Sequence, residues 1–116
     1  MKTKLIIASL FLLSFPTLAT TKAANIFFPV KGVICDKKGK YCADQQGVSV
    51  KLTKKHLGKK AAEHLKNEIG DGKDIDFSSF TLSNGVHCEN KERKCYKDRY
   101  FPRTEVNKEF TQKMYE

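Results

Sequence analysis

One long apolar run opens the chain, Leu5 to Phe15 interrupted only by Ser9 and Ser14, and nothing like it follows. After residue 23 the apolar positions come in short bursts separated by glycine, asparagine, aspartate and lysine, a rhythm that predicts short strands and short helices. Two of these bursts repeat one another. Laying Phe27 to Asp44 over Phe80 to Lys97 without a gap pairs Phe27 with Phe80, Gly32 with Gly85, Val33 with Val86, Cys35 with Cys88, Lys38 with Lys91 and Cys42 with Cys95. Asp36 then meets Glu89, and Lys40 meets Arg93. In each copy a two-residue turn, Lys31-Gly32 or Asn84-Gly85, sits between strand-like residues. Asn-Gly is the stronger hairpin signal, because both central positions of a type I′ turn need positive φ. Each copy then runs through Val-x-Cys into a polar hexapeptide, residues 36–41 or 89–94, and returns at the next cysteine. A second reversal, and hence a β-meander, is predicted in each.

Between the copies the period changes. Ser49 is a good N-cap, Val50 to Leu57 follows without a breaker, and Gly58 is placed to end the turn in the left-handed conformation. On that helix Val50, Leu52, Thr53, His56 and Leu57 share one arc, and Lys51, Lys54 and Lys55 share the other. A second helix is predicted from about Lys59 to Glu68, with Ala61, Ala62, Leu65 and Ile69 inward, and Asn67, Gly70 and Gly72 end it. Asp71 to Asp76 reads as a polar turn, and Ile75 and Phe77 alternate with polar neighbours as a strand does. Beyond Phe101, Val106, Phe110 and Met114 recur at four-residue intervals, the pattern of a short amphipathic helix; its weak apolar content leaves fraying as the alternative.

The opening run changes this picture. Lys2 and Lys4, the apolar stretch and the small polar residues from Pro16 to Ala23 have the order of a secretory signal peptide. A membrane anchor needs about 20 continuous apolar residues, roughly twice this run. Cleavage is expected after Ala19 or after Ala23, with Thr17 or Thr21 two places earlier. From Ala24 on, 33 of 93 residues are apolar, a lean supply for a core at a size where burial is marginal. Nineteen Lys and Arg against thirteen Asp and Glu leave +6, so the basic balance survives processing.

All four cysteines fall in the exported part, and an even count in a small secreted chain is the signature of a disulfide framework. Structural zinc sites usually bring cysteines in with two to four residues between them; here six lie between the members of each pair. Cysteines flanking a six-residue reversal can face one another within the short reach of a disulfide. That favours Cys35 with Cys42 and Cys88 with Cys95, each ring contributing about 2.5 kcal/mol. Pairing across the repeats stays open at this point, since a pseudo-symmetric fold could set the copies side by side.

Candidate chemistry is sparse. His56 falls on an apolar arc, His64 looks solvated, and His87 lies beside Cys88, whose sulfur in a bridge is no nucleophile. An enzyme would need a cleft gathering His64 or His87 with a carboxylate, and the sequence shows no catalytic set. Asp71, Asp74 and Asp76 lie in a glycine-bearing loop without the EF-hand register, so a solvated turn is expected and no metal or cofactor is predicted. Above background stands a cationic surface: Lys51, Lys54, Lys55, Lys59 and Lys60 in the helical segment, with Lys97, Arg99 and Arg103 near the end of the second repeat. Such a cluster attracts anions; lysine-rich faces also serve only to keep small proteins apart in solution. Tyr100 and Phe101 set aromatic rings beside that charge, either for recognition or to close the core.

The combination of Gly-Val-x-Cys twice, Cys42-Ala43-Asp44 with Gly47, Leu52-Thr53 with Leu57-Gly58, Lys60-Ala61-Ala62, Asp76-Phe77, Phe80-Thr81, Asn84-Gly85-Val86 and Asp98-Arg99-Tyr100-Phe101 resembles the Fels prophage-protein-like, or YcgJ-like, family. The resemblance covers roughly Gly32 to Phe101 and stops there. It implies a small exported bacterial protein with a single domain, and it carries over no catalytic or binding residue.

The reading is therefore a small disulfide-stabilised α+β domain, two related β-meanders flanking a short helical pair, over residues 24–101. A signal peptide precedes it at 1–23 and a tail follows at 102–116. The function expected is a non-enzymatic module, periplasmic or secreted, whose basic face meets an anionic envelope polymer, a lipid headgroup or an acidic protein, with nucleic acid disfavoured by export. The alternative is an inhibitor or immunity-type protein that binds a hydrolase or toxin through its cross-linked loops.

Overall fold

The computed structural model describes residues 25–103 and 105–116, and the signal peptide read at 1–23 lies outside them. The first meander is an antiparallel sheet of four strands in chain order, β1 (Ile26–Phe27), β2 (Ile34–Asp36), β3 (Tyr41–Asp44) and β4 (Gly47–Ser49). The second has three, β5 (Ser79–Thr81), β6 (His87–Glu89) and β7 (Lys94–Tyr96). Registers match across the repeat. Phe27 faces Cys35 as Phe80 faces Cys88, and Cys35 faces Cys42 as Cys88 faces Cys95. Directly opposed cysteines are within disulfide reach, and both local bridges form, with Cα atoms 4.1 and 4.0 Å apart. All four cysteines are fully buried. The hexapeptide turns also match in detail, because Lys40 and Arg93, equivalent in the repeat, are the two non-glycine residues with positive φ among those described.

Helix α1 spans Val50–Leu57 and α2 spans Lys59–Ile69. The Ser49 hydroxyl accepts from Leu52 N–H at 3.1 Å and caps α1. Gly58, at φ 100° and ψ 169°, ends α1 and starts α2 in a conformation that side chains disfavour, though its ψ lies outside the left-handed helical region. Ala62 and Leu65 turn inward as expected.

Three details differ from the sequence reading. The Asn84-Gly85 hairpin forms, but only Gly85 has positive φ. Gly85 N–H donates to Leu82 O, and Leu82 N–H to Val86 O, which encloses a three-residue loop in place of a type I′ turn. The extra loop residue is Ser83, whose N–H and hydroxyl both donate to the Asp36 carboxylate at 2.6 and 2.8 Å. Ile75 and Phe77 lie outside any strand. The Asp76 carboxylate accepts from Ser78 N–H at 3.0 Å and bends the chain, so β5 begins only at Ser79.

The third difference concerns the segment set apart as a tail. Residues 108–115 form α3 (Lys108–Tyr115), capped by Asn107, whose side chain accepts from Phe110 N–H at 3.0 Å. Met114 and Tyr115 join Ile34, Ala43, Phe80, Leu82 and Val86 in one hydrophobic cluster. The carbonyls at the end of α3 are satisfied by side chains and backbone of both meanders: Gly32 N–H on Lys113 O, Gln45 Nε2 on Met114 O and Arg93 Nη2 on Tyr115 O.

With α3 in place the duplication is longer than the ungapped match. Val106 bridges Tyr96 as Val48 pairs with Ala43, and Asn107 caps α3 as Ser49 caps α1. Thr53 and Thr111, each four residues past its cap, do the same work. Cys42 N–H donates to Thr53 Oγ1 at 2.8 Å and Cys95 N–H to Thr111 Oγ1 at 2.9 Å. The repeated unit is a clipped meander followed by its own helix. The halves are locked at Gly47, which has φ 124° and where a Cβ would stand 2.4 Å from Phe77 O, the carbonyl that accepts Val48 N–H.

Candidate functional site

The five lysines of the helical segment fall on two consecutive helices. Lys51, Lys54 and Lys55 lie on α1, Lys59 and Lys60 open α2, and all five are exposed. No carboxylate lies within ion-pair distance of any of them among the described residues. Neither helix has an acidic residue in its first turn.

The other three cations stand on a different element, the segment joining β7 to α3. Lys97 pairs with Glu105 at 3.3 Å in an exposed contact. Arg99 is exposed, its guanidinium 5.5 Å from the Tyr100 ring centroid. Arg103 is engaged within the fold. Its Nη2 donates to Glu89 Oε2 at 3.1 Å and its guanidinium lies over Phe101 at 3.9 Å and Tyr96 at 5.1 Å, with the buried Nε lacking a hydrogen-bond partner. Tyr100 and Phe101 do not close the core. They are 65 % and 79 % exposed.

Sequence reasoning missed a polar cluster at the base of this segment. Alternation along β5 and β6 puts Ser79, Thr81, His87 and Glu89 on one face, where register pairs Ser79 with Glu89 and Thr81 with His87. His87 is buried, its Nδ1 2.8 Å from Thr81 Oγ1 and its Nε2 2.7 Å from Glu89 Oε2. A hydroxyl, an imidazole and a carboxylate in sequence invite comparison with a catalytic relay. Here Glu89 Oε2 also accepts from Ser79 Oγ and from Arg103, so the carboxylate serves to anchor the arginine. The signal that could have found the cluster is period-two alternation on both strands of a predicted hairpin. His64 is exposed and His56 half-buried, and neither joins a carboxylate among the described residues.

The aspartate loop is a run of local turns. Asp71 accepts from Lys73 N–H, and Asp76 accepts from Ser78 and lies 3.7 Å from Lys91. The Ser78 hydrogen bonds, more than the lysine, hold the Asp76 carboxyl below its ordinary range. Among the described residues no group of three or more His, Cys, Asp or Glu side chains could hold a metal ion, and no helix is long and apolar enough to cross a membrane. Four open grooves stand out among the described residues. One of about 610 Å³ lies between β1 and α3 against Phe27, Phe28, Val30 and Phe110; one of about 430 Å³ lies beside α3 against Lys94, Val106 and Lys108; one of about 350 Å³ lies at the Gly32 and Gln45-Gln46 turns; and one of about 240 Å³ lies between α2 and the strands against Tyr41, Leu65, Phe77 and Phe80.

Comparison with known proteins gives a family and no reaction. The family model described as "YcgJ protein" matches residues 26–115, which carries the match through α3 and past the Phe101 limit of the sequence resemblance. "Uncharacterized protein YcgJ" of Escherichia coli (strain K12) is 44% identical over 79 residues, covering 68% of this chain and 60% of that protein. The match thus spans 60% of that relative's length, less than two thirds. No solved structure matches.

Proposed function

This chain belongs to the YcgJ family, and on that premise we propose that it is a small exported binding module whose lysine-bearing helical face meets an anionic polymer of the bacterial envelope. The observation that carries the reading is the set of five exposed lysines on α1 and α2 with no carboxylate partner among the described residues. Part of this array works against folding, although Lys54 and Lys55 lie in the last turn of α1, where the dipole favours cations. Lys51 repels Lys54 and Lys55 at helical i,i+3 and i,i+4 spacing, and Lys59 and Lys60 add charge at the positive end of the α2 dipole. An anion laid along the face relieves both. The two disulfides fit an oxidising compartment, and the signal-like order of residues 1–23 supports export as the route.

The test is a binding isotherm against the delipidated, phosphorylated polysaccharide of lipopolysaccharide at rising salt. The wild-type protein is expected to lose affinity as salt screens the contact. Replacing Lys51, Lys54, Lys55, Lys59 and Lys60 together by Gln is expected to weaken binding at least about tenfold at low salt. Equal affinity of the two proteins, or no salt dependence, overturns the proposal. Recovery of one stoichiometric protein partner regardless of salt would instead favour the inhibitor or immunity reading.

A further inference from the structure

The segment between β7 and α3 carries a second surface, distinct from the lysine face and independent of it. Adjacent Tyr100 and Phe101 are the two most exposed large apolar side chains among the described residues. Along the chain, residues 94–108 carry five cationic side chains against two acidic ones; Arg103 is largely buried on Glu89, and Lys94, Lys97, Arg99 and Lys108 are exposed. We propose that this segment is an interfacial anchor: the Tyr100 and Phe101 rings enter the headgroup region of an anionic bilayer while Arg99 and Lys97 meet lipid phosphates.

Three observations converge on that occupant. The backbone that carries the rings is tethered. Tyr100 N–H donates to Asp98 Oδ1 at 3.1 Å, and Arg103 Nη1 donates to Tyr100 O at 3.2 Å. The same arginine is pinned from below by Glu89, with both side chains largely buried, and Glu89 is pinned by His87 and Ser79. Little ordering entropy is left to lose on contact. The rings also stand outside the grooves. Neither Tyr100 nor Phe101 lines any of the four described above, the one against Lys94, Val106 and Lys108 included, and Phe101 is 79 % exposed with the Arg103 guanidinium against one face. A sugar or a peptide needs a shaped counterpart, whereas a fluid interface moulds itself around a protruding ring. Finally, the charge is complementary: aromatic rings favour the headgroup level and neighbouring Lys and Arg are attracted to anionic leaflets. One such loop gives reversible attachment, not a stable anchor.

The chain contains no tryptophan, so Phe101→Trp supplies a unique fluorophore at the tip, where exposure spares the fold. Oxidised Phe101→Trp protein is mixed with vesicles of equal parts phosphatidylglycerol and phosphatidylethanolamine, or of phosphatidylcholine. Emission is expected to shift to the blue and to be quenched by brominated acyl chains in the anionic vesicles alone. Phe101→Ser is expected to weaken vesicle binding about tenfold, and Arg99→Gln about fivefold, with circular dichroism and polysaccharide binding unchanged. Emission that stays at its aqueous wavelength overturns the inference. So does vesicle binding without bromine quenching, which would mean that lysines touch phosphates and the rings stay in water. In either case the polysaccharide isotherm still reports separately on the lysine face.

Discussion

Thr53 and Thr111 show how much a single side chain decides in this protein. In each copy the second cysteine's N–H points sideways from its strand, into a buried region where the following helix begins. The threonine hydroxyl takes that N–H and donates onward, to Ser49 O or Cys95 O. Thr53→Val keeps the shape and removes the acceptor, so urea unfolding is expected to show a loss of about 1–3 kcal/mol, while Thr53→Ser stays near wild type. The sequence placed Thr53 on the buried arc, but no periodicity can say that an inward hydroxyl has a strand N–H to accept from. Asp36 and Glu89 make the same point from equivalent positions. Fully buried Asp36 ties Ser83 and Gly39 to the first meander, and Glu89 holds Arg103. Two phenols add a pH dependence at this scale. Tyr41 is raised well above its ordinary value by burial and by the Asp36 carboxylate, and burial, opposed by Arg93, pushes Tyr115 up to about 12. The folded state therefore keeps protons that the unfolded chain releases from about pH 10. Their contribution is complete below that pH and is lost as pH rises through the folded values. Equilibrium unfolding as a function of pH should show this decline, and Tyr115→Phe should make it shallower.

At the level of elements the legible parts were those with a local signal. The clipped turns, the Ser49 cap, the Gly58 break and both central helices each rest on residues a few positions apart. The place of α3 does not. The copies are offset by 53 residues through Cys42 and Cys95 but by 58 from Ser49 and Asn107 onward, because the connection before Val106 is longer than the Gln45-Gln46 turn. An ungapped match cannot cross that insertion, and a helix with few apolar residues looks marginal until its neighbours are known. Met114 has no exposed surface and lies in the common core. Met114→Ala is accordingly expected to cost about 2–5 kcal/mol in urea unfolding, the value for a core position; a frayed tail would register almost nothing.

For the whole molecule, 33 apolar residues after position 23 must be supplemented by covalent and polar links. Two eight-residue rings together contribute about 5 kcal/mol, comparable to the lower end of net stability for a domain of this size. The surfaces proposed for binding stand on elements that follow directly from those rings: α1 and α2 after the first, the aromatic segment after the second. The partner was never legible, since charge and exposed rings specify a chemistry and not a molecule. The central claim is that each copy is closed on itself. Trypsin digestion of the oxidised, non-reduced protein tests it most directly, because Lys37, Lys38 and Lys40 lie inside the first ring and Lys91, Arg93 and Lys94 inside the second. The account predicts that mass spectrometry will find the Cys35 peptide bridged to the Cys42 peptide and the Cys88 peptide bridged to the Cys95 peptide. A bridge from either of the first two cysteines to either of the last two, or four free thiols, would contradict it.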